Sequence, residues 1–290
     1  MPRTLTLRRP AALIALAALV AMPAAAEELT RPAYENMYVA FCPPERAEAE
    51  APRLKCSRAS ILYPQYRDAD WLNRLLTREV VVPVFVKAIG DDDILRAVGG
   101  RPTLEARYEQ QLTRLVKGSE SGKPLVEFDL RLTGTDLSRP NSQTSHPRPE
   151  RFGPYLQFAF AWSLEKEESA SAAPVLGGFV VVDTENQKML TYDDLVAPAH
   201  KAVLAELQLQ AFRVWLKQEQ KLSDDDIAEH LANPSFAFHP SKNWRFAHGG
   251  LVFHFDMYEV GPRVFGTPEF LVAKDKLKGV VKPEILARIP

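Results

Sequence analysis

The chain has 290 residues, 46% hydrophobic and 25% charged, with 36 basic against 37 acidic side chains. This is an ordinary globular composition, long enough for a large core or two domains, and it carries neither internal repeats nor coiled-coil heptads. The near balance of charge offers no basic surplus to a polyanion, so nucleic acid is not an expected partner. The 23 prolines favour loops and short strands over a helical bundle.

At the start, Arg3, Arg8 and Arg9 precede the apolar run Ala11–Ala21, and Ala24, Ala25 and Ala26 supply small residues for cleavage. Residues 1–26 therefore read as a secretory signal peptide, and the mature protein as periplasmic. The run is short of the roughly 20 apolar residues of a spanning helix, and Pro23 interrupts its end. No permanent membrane anchor is expected after cleavage. Losing the leader leaves 33 basic against 37 acidic side chains. Two cysteines follow, Cys42 and Cys56. In an oxidising compartment such a lone pair forms a disulfide, closing the charged loop 43–55.

In chain order, strands are expected at Tyr34–Phe41 and Ser57–Tyr63, the second ended by Pro64. Asp68 is the expected cap of a helix whose Trp71, Leu72, Leu75 and Leu76 recur at helical spacing. Val80–Val86 reads as a helix end or an edge strand, and Asp91–Val98 and Thr103–Lys117 as helices. Leu125–Leu132 alternates as a strand with one wet face, and the proline-rich stretch 135–154 reads as a long loop. Tyr155–Leu164 and Phe179–Asp183 are expected strands, the latter of the fully buried type. Ala199–Gln220 is the longest expected helix, its broad apolar face drawn through Val203, Leu207, Leu209/Gln210, Val214 and Leu216. Ser223 caps a further short helix. Domain boundaries are expected near 135, with 27–135 and 136–290 forming one compact unit.

The stretch Asn243–Ala273 organises the C-terminal part. Leu251, Phe253 and Phe255 alternate with Val252, His254 and Asp256, the period of a strand with one buried face. Gly249 and Gly250 before it suit a hairpin turn from a strand at Trp244–Phe246. His254 then falls on the expected solvent face. Gly261 and Pro262 break the ladder, and after Gly266 a strand resumes at Glu269–Ala273, followed by a helix at Lys274–Val280 and a last turn at Pro283–Ile289.

The run Gly250-Leu251-Val252-Phe253-His254-Phe255, then Tyr258-Glu259-Val260-Gly261-Pro262, then Gly266, resembles the C-terminal signature of the DUF3298 family. Leu190–Leu195 is similar to a second segment of that family. Where members carry Gly-Gly-Ala-His, this chain has Gly177-Gly178-Phe179 without the Ala-His. The resemblance implies an exported, RsiV-like extracytoplasmic member of Gram-negative type. One relative in that family is a lysozyme receptor, and others sit beside polysaccharide deacetylase domains.

For chemistry, His239, His248 and His254 match no familiar zinc spacing, and Asp193-Asp194 and Asp224–Asp226 sit where helix starts explain them. No nucleophile, phosphate-cradling or metalloprotease motif is present, so neither a metal nor a cofactor nor a catalytic residue is expected. Tyr258, Glu259 and Arg263 at the strand break are the candidate ligand-binding residues, with Gly249, Gly250, Gly261, Pro262 and Gly266 as structural supports. The reading is an α+β protein, an antiparallel sheet with helices packed on one face. Its expected role is non-enzymatic recognition of an envelope protein such as lysozyme, or of a cell-wall glycan. The alternative is a peptidoglycan- or polysaccharide-modifying enzyme or its accessory.

Overall fold

The computed structural model describes residues 29, 32–42, 56–84, 126–133, 148–166 and 176–290. The expected signal peptide, the expected loop at 43–55, the expected helices at 91–98 and 103–117 and most of the expected loop at 135–154 lie outside them. Cys42 and Cys56 are joined by a disulfide.

Seven strands make the main sheet: β1 (Ala33–Phe41), β2 (Ser57–Gln65), β3 (Val126–Thr133), β4 (Glu150–Phe152), β5 (Tyr155–Lys166), β6 (Leu176–Asp183) and β7 (Lys188–Met189). Their order is β1-β2-β3-β5-β6-β7, with β4 also paired to the start of β5. Every pairing is antiparallel except β2 with β3. A parallel pair needs a long crossover, and the connection from 66 to 125 supplies it, beginning with helix α1 (Asp70–Leu76). The helix does not use Asp68: its N-cap is Ala69, without a side-chain bond. Asn73 fixes the entry instead, accepting from the Tyr66 N–H and donating to the Tyr66 carbonyl, both at 2.9 Å. Val80 and Val81 belong to a π-helical turn, Thr77–Val81, that extends α1. β2 runs through Pro64 because β3 pairs only with Arg58–Leu62, so the missing N–H has no ladder partner to lose on that side.

The strand patterns follow from what covers each face. In β2 and β3, Ala59, Ile61, Phe128, Leu130 and Leu132 are buried against α1. The opposite face is polar and partly solvated, with Arg58 bonded to Glu127 at 2.7 Å and Ser60 to Asp129. β5 and β6 are apolar on both sides because both are covered. Leu156, Phe158, Val180 and Val182 join the α1 core, while Tyr155 and Val181 join a second one.

That second core belongs to the C-terminal part. Here α2 (Tyr192–Leu195), α3 (Lys201–Gln218) and α4 (Asp224–Ala232) surround a separate three-stranded antiparallel sheet, β8 (Trp244–Ala247), β9 (Gly250–His254) and β10 (Glu269–Ala273), in order β10-β9-β8. Turns occupy 274–280 where a helix was expected, and α5 (Pro283–Leu286) closes the chain. The fold is α+β. The antiparallel sheet of the sequence reading is divided in two, with the Trp244–Ala273 ribbon outside the main sheet. Capping boxes start α2 and α4, Thr191 with Asp194 and Ser223 with Asp226, which accounts for those aspartates.

The buried face of α3 is Leu204, Gln208, Phe212 and Leu216; of the expected face Leu216 is buried and Leu207 partly so, while Val203 and Val214 are 47% and 52% exposed. Phe212 meets Phe255 and Phe270 of the small sheet and its exit.

Polar side chains join the two sheets. Gln157 of β5, fully buried, accepts from the Phe246 N–H at 2.7 Å and donates to its carbonyl at 3.3 Å. Asn243 accepts from the Phe179 N–H at 2.8 Å, and Asp256 from the Gly177 N–H at 2.9 Å. These side chains close the stretch of β6 edge that the two-residue β7 leaves open. A Cβ at Gly178 would run into the Asn243 amide, so glycine is what admits the bridge.

Candidate functional site

Two features on the β9–β10 connection concentrate polar chemistry and exposed apolar surface: a buried imidazole at the end of β9, and the loop 255–268 beyond it. Contrary to the solvent-face expectation, His254 is only 2% exposed. The alternation was read correctly, but the second face of β9 is covered by the main sheet. The Phe179 ring of β6 lies edge-on to the imidazole at 5.6 Å. Directly across the ladder, Glu269 faces Nδ1 at 3.2 Å, and Asp256 lies 3.8 Å from Nε2, an ionic contact too long for a hydrogen bond. Arg245 completes the row, bonding Glu269 at 3.2 Å while its guanidinium lies over the Phe179 ring at 5.0 Å.

The electrostatics of this row are those of a lock. Burial alone would lower the His254 pKa, but Asp256 and Glu269 overrule it and raise it from 6.5 to about 9. Burial pushes Glu269 upward, and His254 and Arg245 more than reverse that, holding it below the usual carboxylate range. At neutral pH the imidazole is therefore a fixed cation between two carboxylates, with no lone pair for general-base work.

The loop itself is held at its base. Glu259 accepts from the Asp256 N–H at 2.8 Å and lies 3.5 Å from His239, and the Val260 carbonyl bonds the His230 ring at 2.9 Å. Phe265 packs against the rings of Trp215 and His230 at 5.8 and 5.2 Å, and Gly261 lies beneath it. Pro262 precedes a 3-10 turn, Arg263–Phe265, which ends at Gly266. Gly249 forms the β8–β9 turn at φ +79°, while Gly250 lies in β9. Tyr258, Glu259 and Arg263 are thus on one loop and exposed. Tyr258 adopts the left-handed conformation at φ +70° with its side chain 51% exposed, and Val264 is 81% exposed.

Sequence reasoning missed Arg245, His254 and Glu269 as a group. The signal was their cross-strand register, which places Glu269 opposite His254 once the β9–β10 pairing is known. Among the described residues, no three His, Cys, Asp or Glu side chains are grouped to hold a metal ion.

Residues 193–275 match the model of DUF3298, described as a protein of unknown function; the match runs from α2 to just past β10. No curated protein matches the chain. Among solved structures, it resembles a DUF3298 family protein from Pseudomonas aeruginosa, at 17% identity and a TM-score of 0.60, covering 89% of this chain and 98% of that one. It also resembles a DUF3298 member from Bacteroides fragilis, at 13% identity and a TM-score of 0.59, covering 90% and 98%. Both likenesses concern the fold.

Proposed function

We propose that this chain, which carries a DUF3298 region at residues 193–275, is a periplasmic protein that works by recognition: the loop 255–268 presents Tyr258, Arg263 and Val264 to an envelope protein such as a lysozyme or to a cell-wall glycan. The observation that carries the reading is the exposed Tyr258 at φ +70°. A bulky residue in the left-handed region costs about 1–2 kcal/mol, and strain of this kind gathers at ligand clamps. The loop is anchored by Glu259, His230 and Phe265, so Tyr258 and Val264 are offered on a fixed base. Tyrosine and arginine are the side chains enriched at binding hot spots. The disulfide and the arginine-led apolar leader support export, and among the described residues no helix is long and apolar enough to cross a membrane.

The competing reading, an enzyme or enzyme accessory acting on peptidoglycan, would turn to His254 and its carboxylates. That imidazole is enclosed and protonated, which favours binding over turnover. Capture of a muramidase and of purified sacculi by immobilised protein tests both. Retention of either ligand without product release is expected, weakened at least about tenfold by Tyr258→Ala, the loss of a hot-spot aromatic. Release of muropeptides establishes the enzyme reading; equal retention by Tyr258→Ala removes the loop from the site.

A further inference from the structure

A cleft of about 390 Å³ lies between the start of β5, the β6–β7 turn and α5, within the size range of small-ligand pockets. It shares no residue with the loop 255–268. Its walls are firmly set. Asp183 accepts from the N–H groups of Glu185 and Asn186 at 3.0 and 2.9 Å and from the Asn186 amide at 2.8 Å, pinning the turn. Lys188 is bonded to Asp194 at 2.5 Å, and Lys282 to the Asp193 carbonyl at 3.1 Å. The Lys188 charge is matched by the Asp194 carboxylate, whereas Lys282 bonds only a neutral carbonyl and keeps its charge. Like Lys282, the lining residues Glu185, Glu284 and Arg288 have no ion partner among the described residues.

Glu284 lies in α5, and Arg288 follows two residues beyond its end. No ion pair joins them, and the Arg288 side chain lies over Gly153, where a Cβ would come within 2.9 Å of its Cδ. The lining thus carries charges of both signs without ion partners among the described residues, beside Leu190, Ile285 and Tyr155. A purely anionic ligand would meet the two glutamates, a purely cationic one would meet Arg288 and Lys282, and a neutral sugar would leave all four unmatched.

We propose that this cleft binds a short zwitterionic peptide, Arg288 receiving its carboxylate and Glu284, with Glu185 nearby, receiving its ammonium group. Leu190, Ile285 and the Tyr155 ring cover the side chains between. A bidentate guanidinium–carboxylate pair supplies the orientation.

Calorimetric titration of the full chain with trialanine, N-acetyl-trialanine, trialanine amide and tri-N-acetylchitotriose tests this. Trialanine is expected to saturate with a Kd near or below about 1 mM, and each cap to weaken it at least about tenfold. In Arg288→Gln the free acid and the amide become equal; in Glu284→Gln the free and acetylated amines do. Absence of saturation by about 10 mM trialanine, binding of the sugar in its place, or variants that still discriminate the caps would each overturn the assignment. Should a substitution prevent folding, the capped peptides on the unaltered chain decide alone.

Discussion

At the scale of single residues, His254 is the most consequential charge. Its pKa is raised to about 9 in the folded chain from 6.5 unfolded, so its contribution is complete below pH 6.5 and lost as pH rises through 9. The amount is on the order of 3 kcal/mol. The thermal midpoint should therefore fall between pH 7 and 10, and His254→Gln should flatten that part of the profile. Glu269, held low, works in the opposite direction, supplying stability that disappears in acid. Tyr258 makes a separate prediction. Tyr258→Gly relieves the left-handed backbone and should raise unfolding stability by up to about 1 kcal/mol in denaturant titration, while capture of the proposed envelope ligand falls. A destabilised Tyr258→Gly would mean that the side chain serves packing.

At the scale of elements, what was legible in the sequence depended on which force selected the buried face. The β3 alternation and the Ser223 cap were readable because burial and capping there use residue types that declare themselves. Ser223→Ala should cost about 1 kcal/mol, measured by chemical denaturation, from loss of the bond to the Asp226 N–H. The α3 face was not readable. Two stripes compete on that helix, each passing through a glutamine, Gln210 in one and Gln208 in the other, so polarity does not separate them. Gln208 is buried because its amide is satisfied at both ends by Ser241, accepting at 2.8 Å and donating at 3.2 Å. Hydropathy cannot foresee a partner 33 residues away. The same limit hid the His254 row, since the cover over β9 comes from β6. The exposed loop was legible through its Gly, Pro and Tyr punctuation, but not the backbone angle at Tyr258.

For the whole molecule, the two sheets cohere through few polar contacts of high individual value. Gln157→Leu would leave the Phe246 N–H and carbonyl without their partner in a buried place and should cost about 2–4 kcal/mol in equilibrium unfolding. A much smaller loss would show that the apolar interface alone holds the halves together. The seal on β6 has a temporal side. Asn243 and Asp256 are translated well after Gly177 and Phe179, whose amides they cover. Until that later sequence emerges, the nascent sheet carries a raw border able to template pairing with a neighbouring chain. Holding the polypeptide unfolded until its last quarter is available, as passage through a general secretion pore would do, spares it that hazard.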